Sequence, residues 1–366
     1  MSQLTCGFIG LGLIGGSIAK ALKASNTNIK IIAYDINQEA LALAQKEGIA
    51  DVTTERIDAN FSLCDYLFLC APVQKNDQNL EAVKKVLPKD CILTDVGSVK
   101  TTIHEAVAQA GLEHCFIGGH PMAGSERVGY VNSKAELLEN AYYILTPTAS
   151  VPADKVERFR QLVDNMGAIP LILEPDQHDY VTAAISHLPH VVAASLVNLI
   201  ENSDSDEGIM RMVAAGGFKD ITRIASSSAV MWQQICLTNR KNISSLLSRY
   251  IQALTDFQSA IDNQDSDGLY QRFDNARIYR DSFANASSGP IKRSFSISVD
   301  IADRAGALAH IVTLLAEQNL SIKNIAISHN RESEDGVLRI EFYQENSMIR
   351  GVELLTEAGY NVHIRY

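Results

Sequence analysis

Basic residues are in the minority in this chain, and cysteine is scarce. The 32 lysines and arginines face 43 aspartates and glutamates, so the formal net charge is −11. Nucleic acids and anionic membrane surfaces bind basic patches, and this charge balance disfavours both as partners. None of the six cysteines forms a Cys-x-x-Cys pair, which argues against a zinc site or a disulfide framework and favours small buried thiols.

Long hydrophobic runs are also missing. The longest apolar stretch, 191–200, contains Ser195 and Asn198 and is too short to span a bilayer. The amino-terminal residues have neither the charged nor the apolar region of a signal peptide. We therefore expect a cytoplasmic protein. A length of 366 residues with 46% hydrophobic content is enough for two or three globular domains.

Residues 1–174 alternate short apolar segments, such as CGFIG and IKIIAY, with segments of helical periodicity. The apolar segments show no clean alternation, so we expect both faces of these strands to be buried. That pattern is typical of a parallel sheet with helices on each side. We predict a Rossmann-type, doubly wound α/β domain over 1–174.

The sequence pattern typical of β-strands is not found over 175–286, where we predict an all-helical domain. Segment 191–200 is apolar around nearly its whole circumference, which fits either a core helix or a subunit interface. We favour an interface in a homodimer, because an all-helical appendage must bury its apolar face against something. The predicted helices are 178–201, 208–224, 228–262 and 266–285.

A linker rich in Ser, Gly and Pro precedes a third predicted domain at 291–366. Its strands and helices follow in the order βαββαβ, which is typical of a ferredoxin-like fold. We predict helices at 306–318 and 347–358 in this unit.

A glycine-rich turn follows the first strand and opens the first helix. Gly10 permits the tight turn, Gly12 lets a pyrophosphate approach the backbone, and Gly15 lets the helix pack closely on the strand. Asp35 ends the next strand, where an acid accepts hydrogen bonds from a ribose 2′-hydroxyl and repels a 2′-phosphate, so we predict NAD as the cofactor. The other predicted cofactor contacts are Leu13 and Ile14 at the helix start, Ala71, Pro72 and Ser98.

Two polar residues end strands at the edge where doubly wound sheets bind ligands. His120 can accept a proton from a substrate hydroxyl near neutral pH. Ser98 either lies beside the cofactor or simply caps the following helix. His187 and His190 share one helical face, and they are either substrate contacts or core histidines. No carboxylate or cysteine is placed to complete a metal site with them, and we predict no metal.

The segment GGFKDITR, 216–223, gathers Lys219, Asp220 and Arg223 after two glycines. Arginine suits a bidentate contact with a carboxylate. The alternative is a solvated helix face.

The motifs GFIGLGLIGGSIAKAL, TDVGSVK, GGHPMAGSE, HLPH and GGFKDITRIA, in this order, resemble the prephenate dehydrogenase family with its arogenate-using relatives. The resemblance covers about 7–285. It implies NAD-dependent oxidative decarboxylation of prephenate to 4-hydroxyphenylpyruvate, the precursor of tyrosine.

The same resemblance implies a role for individual residues. His120 matches the catalytic histidine that hydrogen-bonds the ring hydroxyl, and Ser98 matches the serine beside it. Arg223 matches the arginine that binds a substrate carboxylate, and His190 matches a histidine of the substrate pocket. Less decisive positions around the pocket entrance and subunit interface are Glu126, Lys219, Asp220 and Trp232.

The carboxyl-terminal unit resembles the ACT regulatory domain, which implies feedback inhibition by tyrosine. Its turn, 303–306, opens a helix whose N–H groups could hold the polar ends of an amino acid. A dimerisation module without a ligand is the alternative. The expected regulatory contacts are Asp303, Gly306, Ala307 and Asn324.

Three other functions compete with this one. Arogenate dehydrogenase performs the same chemistry, and the sequence leaves the choice open. A 3-hydroxyacid dehydrogenase needs a helical-domain lysine as acid and base, and the motifs around His120 and Arg223 argue against it. These two residues also disfavour a non-catalytic sensor of NAD and amino acids.

Overall fold

The chain divides into two units, Met1–Asp256 and Phe257–Tyr366, and each is described by itself. The structure, a computed structural model, describes residues 3–124, 127–285, 295–302, 306–329 and 335–365.

A parallel sheet of five strands lies at the centre of the first unit. Its strands are β1 (Thr5–Ile9), β2 (Lys30–Tyr34), β3 (Val52–Thr54), β4 (Tyr66–Leu69) and β5 (Ile92–Asp95). The intervening helices are α1 (Leu13–Ser25), α2 (Gln38–Lys46), α3 (Val73–Lys84) and α4 (Thr101–Ala110). The strand order β3-β2-β1-β4-β5, with every pair parallel, confirms the predicted doubly wound fold.

Both faces of this sheet are buried, because alternate side chains enter two separate cores. Phe8 and Phe68 stack on one face with ring centroids 4.9 Å apart. Ile9 and Leu69 point into the core on the other face. Strands β1, β4 and β5 are buried along their whole length, which explains their uninterrupted apolar sequences.

A second sheet of three strands continues from the first. It consists of β6 (Ile117–Pro121), β7 (Tyr142–Pro147) and β8 (Ile169–Ile172), with helix α5 (Ala153–Asn165) between the last two. Strands β6 and β7 are antiparallel, and one parallel bridge joins Leu93 of β5 to Phe116. The strand CFIGGH therefore continues the parallel direction of β5, and the structure differs from the predicted parallel sheet at β7, which runs antiparallel to β6.

The helical part of the first unit contains more breaks than the sequence predicts. It consists of α6 (Pro175–Thr182), a π-helical turn (Ala183–His187), α7 (Leu188–Ser203), α8 (Ile209–Val213), α9 (Gly216–Thr222), a 3₁₀ turn (Arg223–Ser226), α10 (Ala229–Thr238) and α11 (Arg240–Asp262). The predicted helix 208–224 is interrupted at Ala215, whose backbone is extended. The predicted helix 228–262 is interrupted at Asn239, whose side chain hydrogen-bonds to α6.

Residues Pro175–Ser203 form one continuous helix of 29 residues that is long and apolar enough to cross a membrane by length and composition. The apolar stretch 191–200 alone is too short to span a bilayer, but it is only part of this longer helix. His178 and Asp179 are nevertheless buried against the α/β part of the unit, and both form hydrogen bonds there. The first turns of this helix are therefore part of a polar site, while its second half, including Leu199, is exposed.

The second unit contains helix α12 and a small antiparallel sheet. Its elements are α12 (Ser266–Asn285), β9 (Phe295–Ala302), α13 (Ala307–Glu317), β10 (Ile322–His329), β11 (Asp335–Phe342), α14 (Glu345–Glu357) and β12 (Val362–Arg365). The strand order β10-β11-β9-β12 and the βαββαβ sequence match the predicted ferredoxin-like arrangement. Alternate residues of β9, such as Ile297 and Val299, form the core with α13 and α14.

Candidate active site

A cavity of about 550 Å³ lies in the first unit, beyond the carboxyl ends of β1, β4 and β5. This is the edge at which doubly wound sheets bind ligands. The helix Pro175–Ser203 and the segment from Arg223 to Ile235 form its opposite wall. The predicted site residues that line it are Gly12, Leu13, Ile14, Ser98, His120, His187, His190 and Arg223.

Other predicted residues lie outside the lining. Gly10, Ala71 and Pro72 lie in the turns that follow β1 and β4, and Gly15 lies in the first turn of α1. Lys219 and Asp220 are exposed on α9, and Glu126 lies outside the described residues. In the second unit, Gly306 caps α13 and Ala307 is its first residue. Asn324 is exposed on the edge strand β10. Asp303 lies outside the described residues.

The glycine turn has the geometry that a dinucleotide requires. Gly10 has φ +99°, and a Cβ there would lie 2.7 Å from the backbone nitrogen of Ala71. A Cβ on Gly15 would lie 2.7 Å from the carbonyl oxygen of Gly10. Gly12 is different, because it lines the cavity and a Cβ there would meet no protein atom within 4 Å. The protein therefore needs Gly10 and Gly15 for its own packing, whereas Gly12 leaves open space for a ligand.

Asp35 lies at the end of β2, as predicted, and is half-buried. One carboxylate oxygen accepts the N–H of Leu11 in the glycine turn, and the other accepts the N–H of Asn37 at 2.7 Å. These bonds orient the carboxylate, and each oxygen keeps a further lone pair. The geometry therefore fits an acceptor for ribose hydroxyls, so the cofactor site suits NAD.

His120 is the third member of a hydrogen-bonded chain that the sequence did not indicate. Its Nδ1 lies 2.8 Å from Nε2 of His178, and Nδ1 of His178 lies 2.8 Å from Oδ1 of Asp179. Asp179 also accepts the backbone N–H groups of Lys100 at 2.7 Å and Thr101 at 2.9 Å. The carboxylate thus sits at the amino-terminal end of α4, where the helix dipole favours an anion.

A buried ion pair lies beneath the strand that carries His120. Lys100 donates a hydrogen bond to Asp95, and both side chains are buried. Lys100 also donates to the carbonyl of Gly119 at 2.7 Å, and Asp95 accepts the N–H of Gly119 at 3.1 Å. Lys100 and Asp95 therefore both fix the backbone of Gly119, the residue that precedes His120.

The electrostatics of the site keep its histidines neutral. Burial holds the pKa of His120 well below its ordinary value, and positive charge on His178, Lys100 and His187 would lower it further. Burial lowers the pKa of His178, and it lowers the pKa of His187 to about 4. Burial alone would raise the pKa of Asp179, but its hydrogen bonds from His178 and α4 hold that pKa below the ordinary value. His120 is therefore available as a base at neutral pH.

The two histidines of the HLPH segment face the indole of Trp232. His190 stacks on it, and its Nδ1–H donates to the carbonyl of Ser186 at 2.9 Å. His187 meets the same indole edge-on, with ring centroids 5.9 Å apart. The indole nitrogen of Trp232 is buried without a hydrogen-bond partner among the described residues. These groups form an aromatic wall with polar edges.

Two arginines, Arg127 and Arg223, bring positive charge to the cavity wall, and Arg223 begins the 3₁₀ turn after α9 and is exposed. Burial lowers the pKa of His190, and the positive charge of Arg223 lowers it further, so the two side chains are electrostatically coupled. Ser98 is half-buried on the opposite wall, just after β5. Among the described residues, no group of three or more His, Cys, Asp or Glu side chains could hold a metal ion.

Comparison with known proteins gives the family. Residues 18–171 match the nucleotide-binding domain of prephenate dehydrogenase, and residues 174–275 match its dimerization domain. A prephenate dehydrogenase of Bacillus subtilis is 35% identical over 94% of this chain and 94% of its own. The chain belongs to the prephenate dehydrogenase family. A cyclohexadienyl dehydrogenase of Zymomonas mobilis is 34% identical over 72% of this chain and 91% of its own.

Solved structures of the prephenate dehydrogenase family have the same fold. The prephenate dehydrogenase of Aquifex aeolicus, in complex with hydroxyphenyl propionate and NAD⁺, gives a TM-score of 0.73 at 32% identity and covers 77% of this chain and 99% of its own. The arogenate dehydrogenase of Synechocystis gives a TM-score of 0.69 at 28% identity, covering 76% and 100%. The protein is therefore an NAD-dependent oxidoreductase of the prephenate dehydrogenase family.

Proposed function

We propose that the protein oxidatively decarboxylates prephenate to 4-hydroxyphenylpyruvate, with His120 as its catalytic base. The observation that carries this proposal is a neutral histidine facing the same cavity as the glycine turn and Arg223. NAD supplies the hydride acceptor. His120 takes the proton of the ring hydroxyl as positive charge builds on the ring carbon, and it returns a proton to the oxygen after the carboxylate has left as CO₂.

The other cavity residues bind and orient the substrate. Prephenate is a dianion, and Arg223 is a fixed cation that can hold one carboxylate in an acidic protein. His190 and Trp232 form the wall against the substrate ring, and Ser98 lines the same cavity just after β5. The protein contributes mainly by aligning the ring carbon with the cofactor.

Prephenate is the proposed substrate rather than arogenate. The two relatives named prephenate dehydrogenase that match over almost the whole chain support this choice, at 35% and 32% identity. The test is the 340 nm absorbance of purified protein with NAD and prephenate, and separately with NAD and arogenate. We expect turnover with prephenate. Turnover with arogenate alone would change the substrate and keep the mechanism, and turnover with neither would overturn the proposal.

We further propose that the enzyme is a cytoplasmic homodimer with domains at 1–174, 175–286 and 291–366. Support for the dimer comes from the match to a dimerization domain and from exposed apolar side chains on the helices, including Leu199, Met212 and Ile221. Light scattering at micromolar concentration should give twice the mass of one chain. A monomeric mass would overturn the pairing.

The carboxyl-terminal unit is the proposed site of feedback inhibition by tyrosine. Its βαββαβ fold and the left-handed Gly306 that caps α13, with φ +89°, support a ligand-binding turn at the helix start. Adding tyrosine to the prephenate assay should suppress the absorbance rise.

A further inference from the structure

We propose that His178 and Asp179 are positioning residues that fix the tautomer of His120, so that its Nε2 carries the lone pair that accepts the substrate proton. Neither residue belongs to the cavity lining. The inference rests on the proposed role of His120 as a base and adds the two groups that prepare that base.

The tautomer follows from which atoms can donate. An ionised carboxylate only accepts hydrogen bonds, so the 2.8 Å contact with Asp179 requires a proton on Nδ1 of His178. Neutral His178 then has its lone pair on Nε2. The 2.8 Å contact between that atom and Nδ1 of His120 requires the proton to be on His120. The lone pair of neutral His120 is therefore on Nε2, on the opposite side of the ring from His178.

Asp179 cannot become the donor in its hydrogen bond with His178. Asp179 accepts two backbone N–H groups at the start of α4 and a hydrogen bond from the hydroxyl of Thr101. These donors hold the carboxylate in its ionised form. The direction of both histidine bonds is therefore set by the start of α4, whose residues are not among those that line the cavity.

The same hydrogen-bonded chain stabilises the positive charge that develops on His120 during turnover. When His120 takes a proton, the carboxylate of Asp179 lies one imidazole away, on the far side of His178. The ammonium of Lys100 opposes this effect, but it is paired with Asp95 and bonded to Gly119. Among the described residues, the charged and titratable groups that act on His120 and His178 are Asp95 at the end of β5, Lys100 at the start of α4, Asp179 on α6 and His187 in the π turn.

Two variants of His178 separate positioning from simple packing, because both leave the bonds between Asp179 and α4 in place. In His178→Gln, the side-chain carbonyl can still accept the Nδ1–H of His120. In His178→Leu, a side chain of similar bulk cannot. We expect kcat to fall on the order of 10²–10³-fold in His178→Leu and about tenfold in His178→Gln, with the KM values for prephenate and NAD nearly unchanged.

A purely structural role predicts a different result. Both variants would then lose thermal stability, and their kcat per folded molecule would change equally or not at all. Equal kcat values in the two variants would overturn the proposal, as would a loss seen only in KM.

The tautomer can also be read without turnover or substitution at position 178. Long-range ¹H–¹⁵N correlation spectra of wild-type protein labelled in histidine should show His120 protonated at Nδ1 and unprotonated at Nε2. The His120→Asn variant identifies the signal by its loss. A protonated Nε2 would overturn the proposal even if prephenate is the substrate. The expected tautomer in a protein that oxidises neither substrate would leave the positioning intact and reject the proposed function instead.

Discussion

The indole of Trp232 lies on the imidazole of His190, with ring centroids 3.7 Å apart and ring planes inclined by 23°. His190 is also held by its bond to the carbonyl of Ser186, so the imidazole is fixed on two sides. The Nε2 of His190 is therefore oriented before a ligand arrives. Binding a substrate costs less conformational entropy when the polar groups that contact it are already oriented.

Replacing the proposed base should remove most of the catalysis. In His120→Asn, we expect kcat to fall by a factor on the order of 10²–10⁴ with little change in the KM for prephenate. His114→Asn, an exposed position outside the cavity, is the matched control and should keep its kcat. A near wild-type kcat in His120→Asn would remove the base assignment.

Arg223→Gln should mainly weaken substrate binding. Loss of a charge-assisted hydrogen bond should raise the KM for prephenate by about 10- to 100-fold, with a smaller effect on kcat. Arg240→Gln, at the exposed start of α11, removes the same charge away from the cavity and should leave KM unchanged. If Arg223→Gln has a wild-type KM, Arg223 does not bind the substrate.

Two alanine substitutions in the glycine turn should separate NAD binding from stability. One should weaken NAD binding, and the other should lower the free energy of unfolding. Gly12→Ala has room for its Cβ in the protein, so we expect a wild-type melting temperature and weaker NAD binding. Gly10→Ala forces a positive φ and a backbone contact, so we expect a loss of about 1–3 kcal/mol in stability. Calorimetric titration with NAD and thermal unfolding measure the two effects. Undiminished NAD affinity in Gly12→Ala would place the pyrophosphate elsewhere.

The buried histidines should make the protein less stable as the pH falls. The unfolded chain takes up protons near pH 6.5, whereas in the folded state burial lowers the pKa of His120, His178 and His187. Stability is therefore full above about pH 6.5 and declines below it, by about 1.4 kcal/mol per pH unit for each histidine that is still neutral when folded. For His187, this decline continues to about pH 4.

Urea unfolding at pH 8, 7, 6 and 5, at one protein concentration, measures this decline. His187→Gln should show a shallower decline than the wild type because one of the titrating groups is gone. A free energy of unfolding that stays constant from pH 7 to pH 5 would contradict the neutral state of these histidines.

Removal of residues 291–366 should separate regulation from catalysis. We expect the shortened protein to retain its kcat with prephenate and to lose inhibition by tyrosine, because the cavity is built entirely from the first unit. Inhibition at the same tyrosine concentration in the shortened protein would assign tyrosine to the active site.

Several of the predicted residues that line the cavity lie at strand ends. His120, Ser98 and the glycine turn each follow an apolar strand, so the parallel topology alone brings them to one edge. His178 and Asp179 have no such marker. They occur in EPDQHDY, which looks like the polar first turns of a solvated helix, and they become buried only because α6 packs on α4.

Strand direction was also hidden from the sequence. An apolar run such as CFIGGH indicates burial, but it has the same composition whether its neighbour runs parallel or antiparallel. Strand β3 was missed because Val52–Thr54 is too short to produce a recognisable period. The helix breaks at Ala215 and Asn239 depend on tertiary contacts and local backbone geometry that residue propensities do not encode.

The ion pair of Lys100 and Asp95 has a consequence for the history of this protein. Changing either residue alone leaves a buried charge without its partner, at a cost of about 3–5 kcal/mol, and it also removes a hydrogen bond to Gly119. A lineage can therefore pass from this pair to another solution only through a poorly folded intermediate or a simultaneous double change. Selection therefore acts on Lys100 and Asp95 together.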